Sequence, residues 1–141
     1  MILSRTSEYA VRAALFVAGR PATAPIRVAD VATALNIPRN YLSKIFHTLT
    51  RAGLLASTRG KSGGFRLARR PEEITLLDVV SQFDDMPAGR RCLLGRPTCS
   101  DQARCLAHRK WKATSEAVAT FFRETTVADL LRDAPERKGA A

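Results

Sequence analysis

The stretch CLLGRPTCSDQARCLAH, residues 92–108, holds all three cysteines of the chain and one of its two histidines. The spacing is Cys92-x6-Cys99-x5-Cys105-x2-His108. Cys105 and His108, at i and i+3, are expected to point the same way from the first turn of a long helix, with an irregular loop bringing Cys92 and Cys99 alongside. Three thiolates and an imidazole complete a coordination sphere. Zinc accepts such a set, but structural zinc sites use close C-x2-C pairs, and the wider intervals here suit a larger inorganic core. Iron-sulfur clusters take mostly thiolates, with histidine as an occasional substitute. A cluster-free thiol switch is an alternative, and a Cys105–His108 nucleophilic pair is a remoter one. Against the enzyme, the sequence shows no oxyanion or substrate-pocket signals and no orienting acid near His108.

The rest of the chain must position that segment. At 141 residues it is the size of one ordinary domain, or of a small domain with a helical arm. No apolar run approaches the roughly eighteen residues a membrane helix needs. In the N-terminal stretch MILSRTSEYAVRAALFVAGR, Glu8, Arg5, Arg12 and Arg20 break up the apolar residues, which is not the layout of a cleavable signal. A cytoplasmic protein is expected. That compartment is reducing, so an odd set of clustered thiols points to metal binding or redox sensing before a disulfide framework.

Charge gives the second bound. The formal net charge is +10, and its distribution is uneven. From Val31 to Pro71 there is no Asp or Glu, while Arg39, Lys44, Arg51, Arg59, Lys61, Arg66, Arg69 and Arg70 are all positive. A short charge run is usually a solvated face. Over this length, with helical patterns inside it, phosphate neutralisation is the better reading.

Helical spacing predicts a first helix over about Ser7–Gly19, capped by Ser4 or Ser7, then a loop, RPATAPIR. VADVATAL, residues 28–35, forms a short second helix, and Asn36 suits a left-handed turn. Pro38 opens a third helix that ends at Gly53. It carries Tyr41, Leu42, Ile45, Phe46 and Leu49 on one face and Asn40, Ser43, Lys44, His47 and Arg51 on the other. Two helices around a tight turn, the second with a polar basic stripe, describe a helix-turn-helix. LLAST (54–58) and FRLAR (65–69) then pair as a hairpin across the basic, glycine-rich tip RGKSGG, with Arg59 and Lys61 placed to reach phosphate or a minor groove. PEEITLLDVVSQF, residues 71–83, predicts a further helix with Thr75 as a cap. Residues 105–124 predict a long helix with Trp111, Ser115, Val118 and Phe122 in step. Its aromatics need a partner, either the same helix of a second subunit or Phe16 and its neighbours in the same chain. TTVADLL forms a last short helix and PERKGAA a frayed tail.

The ordered set RTSEYAVRAALFVA, VADVATALNIPRNYLSKIFHTLTRAGLL, TRGKSGGFRLAR, EEITLLDVV, the cysteines with CLAHRKW, and TTVADLL resembles the Rrf-type winged-helix regulators, the group of IscR, NsrR and RirA. The resemblance runs from Leu3 to about Leu131. It implies a homodimeric bacterial transcription regulator whose cluster changes its affinity for, or choice of, DNA. It puts the base-reading helix on Pro38 to Gly53, with Asn40, Tyr41, Ser43 and Lys44 in the groove, and the minor-groove arginine of the wing on Arg59. The cluster cysteines fall on Cys92, Cys99 and Cys105, and His108 matches the fourth ligand of the IscR type, a 2Fe-2S protein. In NsrR-like members an acid near the partner's N-terminus ligates instead, and Glu8 stands at that position. The first cysteine interval is one residue longer than in IscR, which leaves 4Fe-4S open beside 2Fe-2S. Ser43 replaces an acid that IscR uses to discriminate sites.

The expectation is therefore a mostly α chain with a small β-hairpin wing. Residues 1–83 form a winged helix-turn-helix domain, 84–104 a cluster-binding loop, 105–133 a dimerisation helix with a terminal helix, and 134–141 a tail. Double-stranded DNA is the partner, met by Arg39, Asn40, Tyr41, Ser43, Lys44, His47, Arg59 and Lys61. No membrane, small-molecule substrate or enzymatic activity is expected.

Overall fold

The computed structural model describes residues 3–85, 92–102 and 104–134. Part of the expected cluster-binding loop and all but the first residue of the expected tail lie outside these. Helix α1 spans Arg5–Ala18. It begins two residues before the expected start because Ser4, not Ser7, is its cap: the Ser4 hydroxyl accepts from the Ser7 N–H at 3.1 Å. Ala10, Ala13, Ala14 and Val17 line its buried face. Their small side chains let the other helices approach closely, which makes α1 the centre of the core.

Helix α2 spans Val28–Leu35, as expected. Asn36 closes it in the left-handed region at φ 54°, its N–H returning to the Ala32 and Thr33 carbonyls. Helix α3 spans Arg39–Arg51. Pro38 sits one place earlier than expected, at the cap rather than in the first turn, with φ −55° and ψ 128°. Leu42, Ile45, Phe46 and Leu49 go into the core, whereas Tyr41 is exposed.

Strands β1 (Leu55–Thr58) and β2 (Gly64–Leu67) pair antiparallel, with Leu55 opposite Leu67 and Thr58 opposite Gly64. The stretch expected to be only a loop adds a third rung to this wing. Ile26 N–H donates to the Phe65 carbonyl at 2.9 Å and Phe65 N–H to the Ile26 carbonyl at 2.7 Å. Gly64 permits that approach, since a Cβ there would lie 2.7 Å from the Ile26 backbone. At Gly63 a Cβ would lie 2.2 Å from the Thr58 carbonyl oxygen. These two glycines are thus required by the wing itself.

The expected 71–83 helix is broken. Pro71–Glu73 forms a 3-10 turn, and α4 covers only Leu76–Val80. Thr75 is its cap, in a reciprocal box with Asp78. The same device recurs at Thr126 and Asp129, which start α6 (Val127–Arg132). The two caps lie back to back: Leu76 N–H donates to the Thr125 carbonyl at 2.9 Å and Val127 N–H to the Ile74 carbonyl at 2.8 Å. Val127 and Leu131 thereby join the core built on α1.

Between them runs α5, His108–Glu124. It starts three residues later than expected, so Cys105 lies outside the helix. Its Phe122 packs with Leu76 and Val80 of α4, flanked by Val118, Val11 and Leu3. The intrachain partner of the long helix is therefore α4, not the Phe16 region. Phe121 remains half exposed.

Residues Ser4 and Asp84 tie the two ends of this core together, Ser4 N–H donating to Asp84 Oδ2 at 2.9 Å. Partial burial works to raise the Asp84 carboxyl, but hydrogen bonds from the Ser4 side chain and backbone outweigh it and hold it below the ordinary carboxylate range. The buried Ser7 hydroxyl lies close by and adds to this, without a full hydrogen bond of its own. The backbone and side chain of Thr126, then Arg132, lower Asp129 in the same direction. A depressed folded-state pKa stabilises above the unfolded value and is lost as pH falls through the folded one. The share of the metal-free protein's melting temperature that rests on these two carboxylates should therefore be constant above about pH 5 and fall away below about pH 4. Asp84→Asn should flatten part of that fall in melts followed by circular dichroism; an unchanged pH profile would contradict the linkage.

Candidate functional site

The polar face of α3 stands clear of the core. Arg39, Asn40, Ser43, Lys44, His47 and Arg51 are all exposed. The hydroxyl of Ser43 donates to the Arg39 carbonyl at 2.9 Å, which leaves its oxygen lone pairs outward as acceptors. Tyr41 is placed differently from its neighbours. Its hydroxyl hydrogen-bonds the Thr6 hydroxyl, and its ring stands edge-on to Tyr9 at 5.7 Å between centroids. Tyr41 thus fastens the first turn of α3 to α1, a role that neither its place on the apolar face nor the expected groove contact revealed.

On the wing, Arg59 and Lys61 are exposed at the tip. Arg27, just ahead of α2, donates from Nη2 to the Lys61 carbonyl at 2.8 Å. That contact steadies the tip against the helix-turn-helix. Only the fold brings these positions together, and the sequence carries no local signal for it. Phe46 of α3 and Phe65 of β2 meet edge-to-face at 4.9 Å. Helix and wing therefore present their cations from one joined unit, the geometry of a surface that follows a phosphate backbone. Arg59→Ala should weaken binding to a duplex selected by the wild-type protein and lower the slope of log affinity against log salt by about 1. Anisotropy titrations across a salt series check this, and an unchanged affinity and slope would count against the wing contact.

The thiol segment packs against the start of α5. Cys92 Sγ lies 3.8 Å from Cys105 Sγ, and Cys99 Sγ lies 3.4 Å from His108 Nδ1. Cys92 and His108 are buried, His108 to 4% exposure. The backbone N–H groups of Arg96 and Leu94 bond the Cys92 sulfur and hold its thiol below the usual range, with smaller help from Cys105 and the Arg96 charge against a desolvation cost. All four sequence-predicted ligands are thus brought into two pairs. Among the described residues no three His, Cys, Asp or Glu side chains surround a single ion position. Glu8 lies on α1 and its carboxylate faces Arg12 at 3.9 Å, half exposed. It also occupies the first turn of α1, where a negative charge favours the helix dipole.

One sequence expectation is overturned here. His108 does have an orienting acid: Asp101 Oδ1 lies 2.8 Å from Nε2. The loop folds back over the first turn of α5, which brings a residue seven positions upstream onto the imidazole. Cys99, His108 and Asp101 thus follow the order of a nucleophile, base and orienter. Two surface hollows, of 660 and 460 Å3, are lined by residues of the wing base and of α5 and not by these three.

Comparison with known proteins places this arrangement. The family model Rrf2, an iron-dependent transcriptional regulator, matches residues 3–133. The HTH-type transcriptional regulator IscR of Vibrio atlanticus is 34% identical over 133 residues, covering 94% of this chain and 76% of that protein. Protein rrf2 of Nitratidesulfovibrio vulgaris is 34% identical over 134 residues, covering 95% and 89%. Among solved structures, CymR (YrzC), the global cysteine regulator of B. subtilis, superposes with TM-score 0.81 at 22% identity over 94% of this chain and 98% of that one. T. potens IscR gives 0.76 at 24% over 99% and 92%. No helix among the described residues is long and apolar enough to cross a membrane. With the helix-turn-helix, wing and thiol segment all inside the matched span, the chain belongs to the Rrf2 family of winged-helix transcriptional regulators, DNA-binding proteins and not enzymes.

Proposed function

We propose that this regulator senses iron, redox state or nitric oxide through an iron-sulfur cluster held by Cys92, Cys99, Cys105 and His108, and that it does so in the cytoplasm as a homodimer acting as a repressor. The observation that carries the reading is the division of the four donors into two pairs. Two donors on one tetrahedral metal, at ~2.3 Å for sulfur and ~2.0 Å for nitrogen, stand about 3.8 Å apart for two sulfurs and about 3.5 Å for sulfur and nitrogen. The observed separations are 3.8 and 3.4 Å. Two pairs match two irons with two protein ligands each, which favours 2Fe-2S over 4Fe-4S and over a single zinc. Amide hydrogen bonds to the Cys92 sulfur suit a thiolate ligand as well. When bound, the cluster supplies a redox-active and oxidant-labile centre. The protein's residues hold it at the start of α5, the helix whose half-exposed Phe121 lines an open apolar hollow with Leu3, Ala117 and Val118. That hollow is the proposed dimer contact. The proposed division remains a DNA-binding unit over 1–83, a cluster loop over 84–104 and a dimer arm over 105–133, reading DNA through the eight α3 and wing residues named above.

Anaerobically purified protein should carry about two irons and two acid-labile sulfides per chain, with visible absorption. One zinc per chain and no labile sulfide would overturn the assignment. A second reading, a cluster-free thiol switch, is favoured by the Cys92–Cys105 sulfur contact and the lowered Cys92 thiol. It predicts a reversible Cys92–Cys105 disulfide in protein free of iron, detectable by mass spectrometry after alkylation.

A further inference from the structure

His108 is the first residue of α5, and Lys112 follows one turn later on the same face. Both reach the same carboxylate. Asp101 Oδ1 meets His108 Nε2 at 2.8 Å, and Lys112 Nζ meets Asp101 Oδ2 and Oδ1 at 3.0 and 3.2 Å. The opposite ring nitrogen, Nδ1, faces Cys99 Sγ at 3.4 Å. Arg104 Nε donates to the Asp101 carbonyl at 3.1 Å, and the His108 N–H donates to the Cys105 carbonyl at 3.0 Å, so the turn that carries the carboxylate is itself tied down. An ionised carboxylate only accepts hydrogen bonds. A neutral imidazole facing it carries its proton on Nε2 and leaves Nδ1 bare toward the thiol.

We propose that Asp101 is the positioning residue of the thiol centre: it selects the Nε2–H tautomer of His108, fixes the ring with Nδ1 turned toward Cys99, and is pinned for that task by Lys112. Its functional consequence rests on the cluster reading above, in which Nδ1 is the ligating atom. A carboxylate behind a ligating histidine raises the basicity of the ligand and removes the freedom of its ring. The contact also accounts for a buried imidazole at a helix start whose cap, Ala107, offers no side-chain hydrogen bond. The loop carboxylate satisfies the ring, and the ring in turn holds the loop against α5.

The test uses the full chain carrying Asp101→Ala, Asp101→Glu or Lys112→Ala, in two states. In metal-free protein with a neutral imidazole, nitrogen-15 shifts of His108 should report Nε2–H in the wild type. Asp101→Ala should give a mixture of tautomers, and Asp101→Glu should restore at least part of the wild-type signal. In anaerobically reconstituted protein, Asp101→Ala should lose cluster to a chelator about 10–100-fold faster. The nitrogen coupling in the pulsed EPR spectrum of its reduced form should also change, with Lys112→Ala intermediate. A proton on Nδ1 in the wild type, or tautomer, coupling and chelator rate all unchanged in Asp101→Ala, would overturn the proposal. Wild-type protein without labile sulfide whose Nε2–H signal is nevertheless lost in Asp101→Ala would overturn the cluster reading and uphold the placement of His108 by Asp101.

Discussion

Phe46→Ala is expected to lower the unfolding free energy by about 3–5 kcal/mol, in the range of large-to-small core substitutions that leave a cavity. The side chain is fully buried, and it touches the wing through Phe65 while its helix carries the residues proposed to meet DNA. Domains of this size are stable by only about 5–15 kcal/mol, so the loss is a large fraction of the total. It should appear as a shifted denaturation midpoint at constant slope. DNA affinity should fall further than the unfolded fraction explains, because the joint between α3 and β2 is loosened even in folded molecules. A Phe46→Leu variant separates the two effects: it refills most of the volume and should recover most of the stability while lacking the edge-to-face ring contact. A loss of less than about 1 kcal/mol in Phe46→Ala would contradict the packing described, since such small values belong to surface positions.

Cys92→Ala is expected to abolish the visible absorption of anaerobically purified protein and to remove most of its iron and labile sulfide. Cys92 is the buried member of its sulfur pair, and two backbone N–H groups are committed to it. Without it Cys105 has no partner donor, and a metal left with an incomplete ligand set is readily lost. The wing and helix-turn-helix do not contain this residue, so far-ultraviolet circular dichroism should stay that of the wild type. A variant that kept a full cluster spectrum would remove Cys92 from the ligand set.

Much of the winged-helix half is legible in the sequence because its signals are local. Hydrophobic spacing set the buried face of α3, Asn36 marked the left-handed turn, and Thr75 marked a cap. The same reasoning missed contacts made across the chain. Ile26 became a wing rung only because Gly64 lets the two backbones meet, and neither residue alone carries that signal. The long helix is expected too early because Cys105 and His108 stand at helical spacing ahead of its apolar face, while the loop carbonyl of Cys105 in fact accepts from His108 N–H. Of the thiol site, the four candidate donors stand out by residue type and spacing, and the family resemblance points to the same four. Asp101 lies in the same segment, but a carboxylate seven residues from a histidine has no fixed relation to it until the loop folds back. Tyr41 shows the opposite case: its exposure fits a groove contact, yet its hydroxyl is engaged by Thr6.

The central claim is that the state of the thiol centre changes DNA binding. The most direct measurement is an anaerobic titration of one selected duplex with cluster-loaded protein and with the same preparation after chelator removes the iron, at fixed salt. Coupling between two sites is typically worth about 5–150-fold in affinity, and the account predicts a difference in that range between the two forms. Equal affinities, with iron and sulfide shown to be present in one sample and absent from the other, would contradict it.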